Sequence, residues 1–395
     1  MFSAQDSLWM AQALQLAERG LYTTSPNPRV GCVLVREGNV VGEGWHERAG
    51  EPHAEIHALQ AARDAARGAT AYVTLEPCSH HGRTPPCADA LIQAGVARVV
   101  VAVQDPNPQV AGQGIAKLRA AGIEVECGLM EAAAHELNIG FFARMTRGMP
   151  WVRSKIAMSL DGRTALNNGE SKWITGEAAR QDVQHWRARS CAVLTGIGTV
   201  LADDPQLNVR ESTPTSSAEN MPSPPLTRGG REGLRQPLRA VVDSRLQMPP
   251  NARLLQQLPS HASGRGAGVE GRVLIYTATQ DAQKIAALEQ AGARVVLLPD
   301  ANGQVDVAAV LRDLAAQGCN EVLVEAGSKL NGALLKAGLV DELVLYLAPQ
   351  LLGDMARGMA QLGELTSINQ RIELEWKDVR HVGKDLRIVA RVKKG

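Results

Sequence analysis

The chain has 395 residues, enough for two or three domains that each bury their own core. Its 42 Lys and Arg residues nearly balance 41 Asp and Glu residues, and aromatic residues make up only 3%, so a large nucleic-acid partner is not indicated. The N-terminal stretch is typical of an amphipathic helix and not of a signal peptide or membrane span, and six cysteines fit a reducing compartment. We therefore expect a soluble cytoplasmic enzyme with no membrane partner.

The first part of the chain, residues 1–146, alternates helical and strand patterns, which predicts an α/β layered domain. The first expected element is a helix from about Asp6, its expected N-cap, to Gly20, with Leu8, Ala11, Leu14 and Ala17 as the apolar face. It is followed by a β-hairpin over 32–45, a helix from His53 to about Arg67, and strands over 71–75 and 98–103.

A candidate metal site lies at the edges of these elements. His53, Cys78 and Cys87 supply one imidazole and two thiolates, three ligands for a tetrahedral zinc whose fourth position is open. Glu55, two residues after His53, is a carboxylate free to carry protons. Zinc nucleobase deaminases combine H-x-E with P-C-x-x-C, whereas eight residues separate the two cysteines here. Because bound zinc lowers the pKa of water to about 7, the pattern predicts a catalytic zinc centre. In the loop between the cysteines, His80 and His81 are candidates for substrate contact.

The second part of the chain begins after a Gly/Pro-containing linker at residues 147–150 and occupies 151–395. It also predicts an α/β domain, with a mixed sheet favoured over a purely parallel one. No G-x-G-x-x-G follows its first strand, so a Rossmann cofactor site is not supported. Gly327-Ser328, at a strand-to-helix junction, suits a phosphate or a simple tight turn equally well. The expected strands lie at 151–158, 192–194, 239–242, 273–276, 295–298, 322–325, 342–347 and 386–392.

Two stretches of the second part, residues 211–236 and 260–271, are rich in small and turn-forming residues and have no periodicity. They interrupt none of the motifs, so we interpret them as surface insertions.

The first part resembles a known family. The run from Leu75 to Cys87, with Asn27-Pro28 and the His-x-Glu pair, is similar to the riboflavin-biosynthesis deaminase, which in bacteria is fused to a reductase as one bifunctional protein. The resemblance implies a cytidine-deaminase-like three-layer domain in which His53, Cys78 and Cys87 hold one zinc and Glu55 is catalytic. It also implies the substrate, 2,5-diamino-6-ribosylamino-4(3H)-pyrimidinone 5′-phosphate, which would lose the ring amino group at C2 as ammonia.

The second part is similar to the reductase half of the same family, through residues 155–163, 171–175, 199–205 and 324–327. That half has a dihydrofolate-reductase-like fold and uses NADPH to reduce the ribosyl group to ribityl, giving 5-amino-6-(5-phosphoribitylamino)uracil. The implied cofactor contacts are Ala157, Trp173, Thr199, Asp203, Ser244, Gly327, Ser328, Lys329, Leu330, Asn331, Gly332 and Ala333. The implied substrate contacts are Ser171, Arg187, Leu207, Arg210 and Glu325, with the arginines suited to the 5′-phosphate.

Some of these implied contacts have a simpler interpretation. Arg187 also fits the exposed face of a helix, and Leu207 also fits plain packing. Lys155 and Asp203 are charged residues in otherwise apolar or turn segments, and we expect them to contribute polarity around the reduction.

The leading hypothesis is therefore a two-step biosynthetic enzyme acting on one small ribotide, and the family resemblance implies a homo-oligomer. One alternative is a generic zinc nucleoside or tRNA deaminase with an accessory domain. The eight-residue spacer, the balanced charge and the match of the second part all count against it. A second alternative is a structural zinc module carrying a ligand-binding domain, but such sites usually have four protein ligands and only three are found here.

Overall fold

The computed structural model describes residues 2–79, 86–108, 110–210, 235–256 and 271–394. It divides into two compact units, Met1–Gly148 and Met149–Gly395. The expected insertions at 211–236 and 260–271 lie almost entirely outside the described residues, as do His80 and His81. Within the described residues, no helix combines the length and apolar character needed to cross a membrane.

The first unit is a five-stranded sheet covered by helices on both faces. Its sheet order is β2-β1-β3-β4-β5, with β1 antiparallel to both neighbours and β3, β4 and β5 parallel. The strands are β1 Gly31–Arg36, β2 Asn39–Trp45, β3 Thr70–Val73, β4 Arg98–Val101 and β5 Glu124–Cys127. The helices are α1 Ala4–Glu18, α2 Ala54–Ala62, α3 Cys87–Gln93, α4 Gln113–Ala120, α5 Glu131–Leu137 and α6 Ile139–Arg147.

Alternation along the strands produces two cores. In β4, for example, Val99 and Val101 pack with α2, α3 and α4 on one face, whereas Val100 packs with α1, α5 and α6 on the other. Successive strand residues point to opposite faces, so a strand that is apolar throughout is buried on both. The expected three-layer architecture, with helices on both faces of the sheet, is confirmed.

The start of α1 differs from the expectation. Ser3, not Asp6, is the N-cap. Asp6 completes a capping box, because its carboxylate accepts a hydrogen bond from the Ser3 amide at 2.8 Å. The buried face agrees only in part with the expectation: Leu14 and Ala17 are buried as predicted, but Leu8 is exposed, and Met10 and Ala13 are fully buried instead.

The second unit contains a nine-stranded mixed sheet in the order β11-β10-β9-β8-β12-β6-β13-β16-β15. All neighbours from β11 to β13 are parallel, and β16 and β15 continue antiparallel, which confirms the expected mixed sheet. The strands are β6 Trp151–Ser159, β7 Arg163–Ala165, β8 Ala192–Gly196, β9 Leu238–Val242, β10 Val273–Thr277, β11 Ala293–Leu297, β12 Glu321–Val324, β13 Glu342–Ala348, β14 Arg357–Gly358, β15 Leu374–Val382 and β16 Asp385–Val392. The helices are α7 Glu177–Arg189, α8 Ile197–Asp203, α9 Ala282–Gln290, α10 Val307–Ala316 and α11 Ser328–Lys336.

The parallel part of this sheet determines where a site can form. Helices or loops leave the carboxyl ends of β9, β8, β12 and β6, which are neighbours in that order. In open α/β sheets, ligands bind in the crevice outside the carboxyl ends of the strands. Residues that follow these four strands therefore meet at one edge although they are far apart in sequence.

Candidate metal centre and cofactor site

Three predicted metal ligands converge in the first unit. His53 is the N-cap of α2, Cys78 lies in the loop after β3, and Cys87 is the first residue of α3. Their ligand atoms lie within 4.8 Å of one another, with His53 Nδ1 3.2 Å from Cys87 Sγ and 3.7 Å from Cys78 Sγ. Ligands around a tetrahedral zinc, at bond lengths of about 2.0–2.3 Å, are separated by roughly 3.5–3.8 Å. The donor set and its spacing therefore fit zinc.

The start of α3 favours a deprotonated sulfur at Cys78. The Cys87 amide donates to Cys78 Sγ at 3.3 Å, and the Ala88 amide donates to the Cys78 carbonyl at 3.2 Å. The side-chain hydrogen bond between the two cysteines lowers the pKa of Cys78, and the same contact, with burial, raises the pKa of Cys87. Thiolate is the form of cysteine that binds metal, so the site is prepared for a cation.

Glu55 stands beside this triangle in the first turn of α2 and is only 3% exposed. Residues two apart on a helix do not share a face, but His53 is the cap and lies outside the helical turns, so both side chains can serve one site. Burial raises the pKa of Glu55 to about 7, with the nearby His53 and Cys78 acting in opposite directions. A carboxyl group with a pKa near neutrality can both accept and release a proton.

His46 is a site residue that the sequence patterns did not reveal. It is 2% exposed, and its ring packs edge-on against His53 with centroids 5.3 Å apart. A carbonyl only accepts, so His46 Nδ1 donates to the Pro52 carbonyl at 3.1 Å, and Nε2 accepts from Asn27 Nδ2 at 3.2 Å. His46 thus braces the backbone that precedes His53. His46 follows the hairpin and belongs to no sequence motif. Its partner Asn27, which is part of the quoted family pattern, was the only sequence feature that pointed to this position.

In the second unit an ionic cluster lies at the carboxyl edge of the sheet. Arg187 on α7 donates two hydrogen bonds to Glu325, which lies just after β12. Nε donates to Oε1 at 2.5 Å and Nη2 to Oε2 at 3.0 Å. Lys155 on β6 adds Nζ–Oε2 at 3.1 Å. Burial alone would raise the pKa of Glu325, but Arg187 and Lys155 outweigh it and hold that pKa well below the ordinary value. Arg187 is buried, so its interpretation as a surface helix residue is wrong.

Most of the predicted cofactor residues, with the exception of Trp173 and Asp203, lie at or just after the ends of four neighbouring strands. Ala157 is on β6, Thr199 is in the first turn of α8 after β8, Ser244 follows β9, and the 327–333 segment follows β12. Gly327 is the N-cap of α11, and as a glycine it has no side chain to cap the helix. Free amides at such a helix start suit a phosphate group, so this edge fits a nucleotide cofactor.

Asn331 and Gly332, within the same segment, face inward. Asn331 Oδ1 accepts from Ser154 Oγ at 3.1 Å, and Nδ2 donates to the Ala326 and Met359 carbonyls at 3.1 and 3.3 Å. A Cβ at Gly332 would lie 2.3 Å from the Gln361 carbonyl oxygen, so only glycine permits that approach. These two positions hold the helix in place, whereas Gly327 and Lys329 are exposed and Ser328, Leu330 and Ala333 are half-buried.

The remaining predicted residues are described separately, because the contacts of the described residues do not join them into one cluster. Trp173 is 71% exposed, with the Arg180 guanidinium 4.6 Å from its ring centroid. Lys172 Nζ lies 3.3 Å from an Asp203 carboxylate oxygen, and Ser171 is half-buried. Leu207 is buried, in agreement with packing. Burial and the charge of Arg187 lower the pKa of Arg210. Their roles as cofactor or substrate contacts stay predictions.

The three-layer fold and its His-Cys-Cys centre beside a buried glutamate define the first unit as a zinc-dependent deaminase of the cytidine deaminase class. The model for the cytidine and deoxycytidylate deaminase zinc-binding region matches residues 3–103, and the model for the RibD C-terminal domain matches residues 150–388.

Relatives match over nearly the whole chain. It is 49% identical to the riboflavin biosynthesis protein RibD of Escherichia coli, over 97% of this chain and 98% of that protein. Identity to RibD of Haemophilus influenzae is 47%, covering 98% and 97%. Among solved structures, RibD of Acinetobacter baumannii (form 1) has 44% identity and a TM-score of 0.84, covering 99% of both chains. The Thermotoga maritima diaminohydroxyphosphoribosylaminopyrimidine deaminase/5-amino-6-(5-phosphoribosylamino)uracil reductase has 32% identity and a TM-score of 0.80, covering 98% of this chain and 99% of that one.

The chain therefore belongs to the RibD family of bifunctional riboflavin-biosynthesis enzymes. It combines a deaminase that uses zinc with a reductase that uses NADPH.

Proposed function

We propose that the first unit hydrolyses the ring amino group of 2,5-diamino-6-ribosylamino-4(3H)-pyrimidinone 5′-phosphate. The second unit then reduces the ribosyl chain of the product with NADPH to give 5-amino-6-(5-phosphoribitylamino)uracil. The observation that carries this proposal is the convergence of His53, Cys78 and Cys87 beside the buried Glu55. The match to the Thermotoga maritima protein, whose name gives both activities, supports the two substrates.

In the deaminase, His53, Cys78 and Cys87 hold the zinc ion. Zinc in such a site supplies Lewis-acid activation of water near neutral pH. Glu55 moves the proton: its carboxylate accepts it from the attacking water and delivers it to the departing amino nitrogen. Its burial supports this role, because a carboxyl group that titrates near neutrality is suited to both transfers.

In the reductase, the carboxyl edge of the sheet holds NADPH, which supplies the reducing equivalent. The uncapped start of α11 at Gly327 receives a phosphate group of the cofactor, and the residues after β6, β8 and β9 line the same edge. Asn331 and Gly332 support this segment from inside.

The ionic cluster of the reductase binds the ribotide. Glu325, held by Lys155 and Arg187, presents a carboxylate at the same edge. Among the described residues, Arg187 makes three of its five possible hydrogen bonds, two with Glu325 and one with the Asn208 carbonyl. Burial, with the charge of Arg187, lowers the pKa of Arg210. A guanidinium forms paired hydrogen bonds with a phosphate, so both arginines suit the 5′-phosphate of the ribotide.

The test is ammonia release from the diaminopyrimidine ribotide without NADPH, followed by NADPH oxidation on the deaminated product. We expect release that disappears when zinc is removed. Absence of release from folded, zinc-loaded protein would contradict the proposal. Cytidine and tRNA substrates serve as comparison, and deamination of these alone would favour the generic deaminase.

We also propose that the chain forms a homo-oligomer. The family resemblance supports this, and so does the edge strand β15, which exposes Trp376 by 62% and Val379 by 54%. Light scattering on purified protein measures the mass, and a monomer at working concentration would contradict the proposal.

A further inference from the structure

A second buried carboxylate, Glu76, lies two residues before the metal ligand Cys78 and has no part in the chemistry proposed above. It is 3% exposed, in the loop that follows β3. Its own amide donates to the Val103 carbonyl at 3.0 Å, which ties this loop to the chain leaving the neighbouring strand β4. A buried charge is costly unless hydrogen bonds satisfy it, so the partners of Glu76 indicate its purpose.

Those partners are four backbone amides from one stretch of chain. Glu76 Oε2 accepts from Gly112 at 2.9 Å and from Asp105 at 3.2 Å. Oε1 accepts from Gly114 at 2.9 Å and from Ile115 at 3.2 Å. Three of these amides belong to the start of α4, where a negative charge also complements the helix dipole. One carboxylate thereby fastens the first turn of α4 and the loop after β4.

The contact continues from Glu76 toward the metal ligand. A Cβ at Gly114 would lie 1.9 Å from the Pro77 carbonyl oxygen, so the start of α4 presses directly on the peptide between Glu76 and Cys78. On its other side, Cys78 is held by the Cys87 and Ala88 amides of α3. Cys78 is therefore held from two sides, by the start of α4 and by the start of α3.

We propose that Glu76 is a positioning residue of the deaminase. Its carboxylate sets the position of the Cys78 ligand relative to the loop after β4, and it does so through the backbone without touching the metal or the substrate. β3 and β4 are parallel neighbours, so the loops that follow them meet at the edge where ligands bind. This inference rests on the proposed deaminase function.

Only a carboxylate satisfies the geometry. Two ionised oxygens offer about four acceptor sites, which match four amide donors. In Glu76→Gln, one oxygen becomes an NH₂ group that faces two backbone N–H donors, although the side chain keeps its shape. Glu76→Asp keeps the charge and shortens the reach.

The experiment uses the full chain and compares wild type, Glu76→Gln, Glu76→Asp and the control Glu124→Gln, which removes an exposed carboxylate on β5. The measurements are the deaminase rate at full zinc occupancy, the visible spectrum of the cobalt-substituted protein, which reports ligand geometry, and NADPH oxidation by the same polypeptide. For Glu76→Gln we expect a loss of about 10- to 100-fold in deaminase kcat/KM, the range seen when supports of metal ligands are removed. The cobalt bands should shift, while the reductase and the control stay at wild-type values.

A folded Glu76→Gln protein with wild-type deaminase kinetics and an unchanged cobalt spectrum would overturn the inference, even if its unfolding temperature fell. If that variant does not accumulate in folded form, Glu76→Asp carries the same test, with a smaller loss expected. Failure of the wild type to release ammonia would instead contradict the proposed function, so the two failures are distinguishable.

Discussion

In the first unit, the proposed metal ligands and the proposed catalytic carboxylate come from one short part of the chain, between His53 and Cys87. In the second unit, the residues at the sheet edge are spread from Lys155 to Ala333 and meet because four parallel strands end side by side. The first site is a compact cluster of side chains around one ion. The second is a surface whose residues are brought together by the order of the strands in the sheet. The comparison suggests that losses in the first unit should be abrupt and losses in the second graded.

Removal of zinc should produce the largest difference between the activities of the two units. Treatment with a chelator is expected to reduce ammonia release to background, because it removes the ion that His53, Cys78 and Cys87 are proposed to bind and with it the activation of water. NADPH oxidation on the deaminated product should not change. Readdition of zinc should restore ammonia release. A chelated protein that still releases ammonia would contradict the dependence of the first unit on a metal ion.

The change Glu55→Gln should come next. It removes the proton carrier without changing the size of a buried side chain, so ammonia release should fall by about 10²- to 10⁴-fold while zinc content stays at one per chain. Glu51→Gln, an exposed carboxylate just before α2, is the matched control and should behave as wild type. Substantial activity in zinc-loaded Glu55→Gln would remove this residue from the mechanism.

In the second unit, Glu325→Gln should have a smaller but clear effect. It leaves Arg187 and Lys155 without their shared counter-ion in a buried position, and breaking such a pair costs about 3–5 kcal/mol. NADPH oxidation should fall and the thermal unfolding of this unit should shift downward, with ammonia release retained. Glu364→Gln, on the surface of the same unit, controls for a general loss of charge.

The smallest expected effect is that of Asn331→Ala. The change removes the hydrogen bonds that hold the start of α11, so the KM for NADPH should rise by about 3- to 10-fold, as the loss of one or two net hydrogen bonds implies. The deaminase should be unaffected, and exposed Asn302→Ala is the control. An unchanged KM would show that this segment does not position the cofactor.

The two units also differ in how well sequence patterns predicted them. Strands that are apolar throughout, such as those around Val100 and Val322, were recognised because they are buried on both faces. The edge strand β15 was missed because both of its faces carry charges, with Lys377 exposed and Asp378 and Arg380 half-buried, so the period of two is hidden. The start of α1 was misplaced because both Ser3 and Asp6 are suitable caps, and only the capping box distinguishes their positions.

Sequence patterns alone predicted two α/β domains, the family, and the proposed metal ligands with their neighbouring glutamate. These depend on residue types at short spacings, and such spacings are set by local structure that the chain itself encodes. Only the tertiary structure decided which residues support the sites. His46 behind His53, Glu76 across four amides and Asn331 beneath α11 act through partners distant in sequence. Hydrogen bonds between distant segments exist only after the strands have been ordered into a sheet, so no local pattern records them.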